Sequence, residues 1–87
     1  MIIYAVLPET DSPALDGRIF ELFQGNCRKI GVGQWLIAAN LTVQGVTELI
    51  GVDKGTYGRT VVVGVESYYG WHLKDVWDWI ALKRGQP

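Results

Sequence analysis

The side chains able to do chemistry are few and scattered. His72 is the only histidine, and Asp75 stands three residues beyond it. That pairing can orient an imidazole as a base, but no nucleophile is visibly paired with it. Ser67 is the nearest hydroxyl in sequence, and nothing marks it as activated. A structural or helix-terminal role is therefore expected for His72. One histidine and one distant cysteine make no ligand cluster, so neither a metal nor another cofactor is expected. Gly31-Val32-Gly33 lacks the third glycine of a dinucleotide fingerprint and lies between extended runs, not before a helix. Lys54-Gly55-Thr56 reverses the Gly-Lys order of a phosphate loop and precedes a strand, so it reads as a flexible loop.

The elements that would position these groups follow from hydrophobic periodicity and punctuation. Residues 2–7 are an unbroken apolar run closed by Pro8, the pattern of a strand buried on both faces. Ser12 and Pro13 are a helix start; Leu15, Ile19, Leu22 and Phe23 form its apolar stripe, and Gly25-Asn26 ends it. Cys27 to Ile30 and Trp35 to Ala39 make a hairpin around the glycine-containing tripeptide, with room for a bulge. Thr42 caps a second helix whose predicted buried stripe is Val43, Val46, Leu49 and Ile50, stopped by Gly51. A loop over Asp53 to Arg59 leads to a strand from Thr60 to Val65. An aromatic segment, Ser67 to His72, then precedes a third helix from Leu73 to Arg84.

This order predicts an α+β, ferredoxin-like βαββαβ domain over residues 1–87, with an added C-terminal helix and a four-stranded antiparallel sheet. Its first and third strands are expected to be central and parallel to each other. The 87 residues are 48% hydrophobic, 20% charged and 11% aromatic, which excludes intrinsic disorder. Eight basic against nine acidic residues give a net charge of -1, so no global field draws the chain to nucleic acid or an anionic membrane. A single cysteine, Cys27, excludes an internal disulfide and reads as a small buried hydrophobe. The apolar start is short and lacks a basic region or cleavage site, and cytoplasmic residence is the expectation.

Strands with one wet face alternate apolar and polar residues. Those at 2–7, 35–37 and 61–63 do not, so the second sheet face must be covered by the third helix, a second copy of the chain or another partner. On the third helix, Leu73, Val76, Trp77 and Ile80 form the expected core stripe, with Asp75 and Asp78 opposite. Trp79 and Leu82 fall outside that stripe, either along a neighbouring loop or as part of a contact surface. Tyr68, Tyr69 and Trp71 form the densest aromatic cluster. Glu66 and Asp75 beside them argue for a core edge or a protein contact rather than stacked RNA bases. Trp79, Leu82, Tyr68, Tyr69 and Trp71 are thus the candidate partner-binding residues.

The stretch from Gln34-Trp35-Leu36-Ile37 through Thr42 and Glu48-Leu49-Ile50 to Val62-Val63 and Trp71 resembles the VapD and SinR-like relatives of the small CRISPR-associated endoribonucleases. The resemblance implies a ferredoxin-like fold, dimerisation through sheets, and in some members nuclease activity from an aspartate near the end of the first strand. Leu7-Pro8-Glu9 stands there instead, with Asp11 beyond it. The leading expectation is a non-enzymatic protein–protein interaction module. It would be a homodimer, or an accessory protein or phage-type inhibitor docking on a larger machine. The alternative is a nucleic-acid-binding protein or metal-dependent nuclease. A third expectation is a regulatory domain holding a small molecule at a dimer interface.

Overall fold

The computed structural model describes every residue from Met1 to Pro87. The chain order is β1 (Ile2–Pro8), α1 (Pro13–Leu22), β2 (Cys27–Gly31), β3 (Gln34–Ala39), α2 (Val43–Ile50), β4 (Thr60–Gly64) and α3 (Lys74–Arg84), with a 3-10 turn at Val52–Lys54. The architecture is α+β. One four-stranded sheet has the order β2-β3-β1-β4, and every neighbouring pair is antiparallel.

The helix ends follow from local chemistry. Ser12 Oγ accepts from the Leu15 N–H at 3.2 Å and Pro13 fills the first helical position, where no N–H is needed. Thr42 Oγ1 accepts from the Gly45 N–H at 2.9 Å, and Gly51 closes α2 in the left-handed region at φ +92°. In the β2–β3 hairpin the register slips between Lys29 and Gly31, a bulge that bends the edge strand. The turn residue Gly33 is left-handed, and a Cβ there would meet the Asp11 Cα at 3.2 Å, so the hairpin tip packs tightly under the β1–α1 loop.

β1 and β3 are central, as expected, but they run antiparallel, with Ile2 opposite Ala39 and Val6 opposite Trp35. The α1 crossover carries β2 in the direction of β1, and the tight hairpin then turns β3 back. A parallel central pair would need a second crossover between β2 and β3, which the Val32-Gly33 turn does not provide.

Side chains alternate across the sheet and feed two cores. On one face Tyr4, Val6, Trp35, Ile37 and Ala39 pack with Leu15 and Ile19 from α1, with Phe23 just past its end, and with Val46 and Ile50 from α2. On the other, Ile3, Ala5, Leu36 and Ala38 pack with Val76 and Ile80 from α3. The third helix therefore covers the middle of the second face. Its path is diagonal. His72 and Asp75 near its start reach Ile30 and Arg28 of β2, while Arg84 near its end donates to the carbonyl of Val65, beyond β4.

Several expected core positions lie outside these clusters. Val43 and Leu49 are exposed, because α2 is short and only Val46 and Ile50 face the sheet squarely. Leu73 caps α3 instead of joining its stripe and is exposed, since the chain is still extended there. β4 ends at Gly64, one residue before the expected Val65. No helix is long and apolar enough to cross a membrane.

Candidate protein-docking surface

The aromatic segment between β4 and α3 is fastened at both ends. Tyr68 stacks on Trp77 with ring centroids 5.4 Å apart and planes 17° from parallel. The Arg84 guanidinium lies over the Tyr68 ring, 5.5 Å from its centre. At the far end, His72 bonds the Ile30 carbonyl through Nε2 at 2.9 Å, and its Nδ1 accepts from the Leu73 N–H at 2.8 Å. A carbonyl can only accept and an amide N–H only donate, so in this geometry Nε2 is the donor and Nδ1 the acceptor. His72 staples the segment to β2, the structural role expected for it. Arg28 adds a second tie to the same helix end, an ion pair with Asp75 at 2.7 Å. That pair holds the Asp75 carboxyl below its ordinary range, chiefly through the Arg28 hydrogen bond.

Between these anchors Tyr69 and Trp71 touch almost nothing of their own chain; Trp71 is 99% exposed. Gly70 between them has φ +149°, a backbone state that favours glycine. Tyr68, Tyr69, Gly70 and Trp77 line one shallow cleft, and Trp71, His72, Leu73 and Lys74 line another. The result is a ledge of tethered aromatics flanked by the exposed Leu73.

The five candidate residues do not form one patch. Tyr68, Tyr69 and Trp71 share the ledge. Trp79 lies on the opposite flank of α3 from Trp77, about 200° around the helix at 100° per residue. It is half-buried and packed against the second core, so it serves mainly to extend that core. Leu82 is exposed on the outward side of α3 near Asp75 and Asp78. Trp77, Arg84 and Leu73 were not legible as parts of the ledge. The Tyr68–Trp77 stack spans a turn of irregular chain and has no periodic signal.

Groups with chemical potential are dispersed. No three His, Cys, Asp or Glu side chains come together as a metal site. Glu9 sits 3.8 Å from Arg59 at the surface, and Asp11 lies against the hairpin turn at Gly33. Cys27 packs against the first core, and burial pushes its thiol pKa up, away from reactivity. Comparison with known protein families, curated proteins and solved structures returns no match for this chain.

Proposed function

We propose that the chain is a non-enzymatic protein-binding module of ferredoxin-like topology that docks, through its aromatic ledge, on a larger protein as an accessory or inhibitory subunit. The strand order β2-β3-β1-β4, with α1 and α2 as crossovers on one face, supports the topology. The observation that carries the function is the ledge itself. Tyr69 and Trp71 are large amphipathic side chains held outside the fold on a segment tied down by a ring stack, a cation over a ring and a histidine staple. Aromatics presented on an ordered support lose little further entropy on binding, which is why such residues dominate interface energetics.

The test is the double variant Tyr69→Ala/Trp71→Ala beside the wild type, each used as bait in extracts of the native host. A stoichiometric partner kept by the wild type and lost by the variant, with unchanged circular dichroism, is the expected result. Identical retained proteins would overturn the docking role of the ledge. Metal-dependent cleavage of RNA or DNA, abolished by Glu9→Ala and Asp11→Ala, would overturn the non-enzymatic reading.

A further inference from the structure

The polar groups along the ledge are nearly all of one kind. One cleft, of about 240 Å³, lies beside Tyr68, Tyr69 and Trp77; the other, of about 450 Å³, lies beside Trp71 and Leu73. The Tyr4 hydroxyl and the Trp35 indole N–H each donate inside the fold, to the Leu41 carbonyl and to Asp16. The indole N–H groups of Trp71 and Trp77 and the hydroxyls of Tyr68 and Tyr69 have no such acceptor and remain free to donate. No carboxylate lines either cleft. Both His72 nitrogens are engaged, and Lys74 Nζ is held by Asp78 at 3.0 Å. The clefts therefore offer aromatic faces and spare donors, with no charge left to match.

That inventory discriminates between the shapes a peptide can present. An α-helix uses its carbonyls internally and leaves the indole and phenol donors unmet. A paired strand brings an N–H for every C=O, and it needs a continuous extended edge to follow. Gly70, at φ +149°, interrupts that edge in the middle of the ledge. A polyproline II segment has no internal hydrogen bonds, and each proline in it presents a carbonyl without an N–H. Its rings are apolar, and its conformation is set before binding, so little entropy is lost on docking.

We infer that the ledge takes a proline-rich segment of its partner in the polyproline II conformation. Prolyl rings rest on Tyr69 and Trp71 in the two clefts, and the segment's carbonyls accept from the free indole and phenol groups. The inference rests on the reading of the ledge as a protein-docking surface, and it narrows the partner to one that exposes an unfolded, proline-rich stretch.

Calorimetric titration of the full chain with capped decaproline and with the capped repeat (Pro-Pro-Leu-Pro)₃ tests it. At least one of the two is expected to bind saturably. Tyr69→Ala/Trp71→Ala should weaken that binding by about tenfold or more, with unchanged circular dichroism. Trp71→Phe keeps an aromatic ring and removes the donor, so it should cost about fivefold, the size of one hydrogen bond. Leu82→Ala, away from the ledge, should bind as the wild type does. Absence of binding by both peptides at millimolar concentration would overturn the inference. So would equal binding of a capped Gly-Ser decapeptide, or full affinity in Trp71→Phe. A host protein captured by the wild type and lost by the ledge variant, with neither proline peptide binding, would sink this inference and leave the docking surface standing. Capture of identical proteins by both would remove the docking surface itself.

Discussion

Asp16 is the residue whose chemistry most directly ties sequence to fold. From the first turn of α1 its carboxylate accepts from the Trp35 indole N–H at 2.7 Å and from Lys29 at 2.9 Å, joining the helix to both strands of the hairpin. Burial pushes the Asp16 carboxyl upward. The Trp35 and Lys29 bonds, with the Lys29 charge, outweigh that and hold it below its ordinary value. A carboxylate depressed in the native state stabilises the fold fully above its unfolded pKa, about 3.9, and less as pH falls through the native value. We predict that Asp16→Ala costs about 1–2 kcal/mol near neutral pH. Its difference from wild type in urea denaturation should shrink below roughly pH 4 as the native carboxylate takes up its proton. A difference that stays constant down to pH 2 would refute the carboxylate's role.

At the scale of elements, α2 shows a conflict between propensity and capping. Gly45, in the first turn of α2, costs at most about 1 kcal/mol relative to Ala, yet a Cβ there would stand 3.2 Å from the Thr42 hydroxyl. Gly45→Ala should therefore gain less than half of the propensity term. In a Thr42→Ala background, itself down by about 1 kcal/mol, the same change should gain the full amount. Equal gains in both backgrounds would show that the hydroxyl yields freely. For α3 the expectation follows from burial. Ile80→Ala should cost about 2–4 kcal/mol in chemical denaturation, because Ile80 is 2% exposed against the sheet. Leu82→Ala on the outward side should stay within about 0.5 kcal/mol of wild type.

At the scale of the whole molecule, one sheet carries two cores of different kinds. The first is closed by two capped helices, the second by α3 alone, which reaches the sheet through a loop. A chain ending after Val65 should expose Ile3, Ala5, Leu36 and Ala38 together. We predict strong binding of a hydrophobic dye and aggregation for that truncation, while Tyr69→Ala/Trp71→Ala keeps the wild-type thermal midpoint. The contrast separates the structural part of the C-terminal third from the part proposed to meet a partner. A truncated protein that stays monomeric and dye-negative would mean that α3 is not needed to cover the second face.

Local signals in the chain determined a good deal. Ser12 with Pro13, Thr42 and Gly51 act on backbone groups within one turn, so those helix ends could be read directly. The doubly apolar runs at β1 and β3 required a covered second face, and α3 lies over its centre. Other outcomes depended on relations between distant elements. The antiparallel direction of β1 and β3 is not one of them: the α1 crossover and the hairpin, both legible in the chain, already require it, and the expected parallel pair was inconsistent with them. Trp79 does depend on such a relation, since its helical phase placed it off the stripe while the indole still reached the second core. Tyr68 found Trp77 and Arg84 across an irregular segment with no period to announce it. Periodicity records which side of an element is apolar; which neighbour that side meets is settled only when the diagonal path of α3 leaves Val61 and Val63 uncovered.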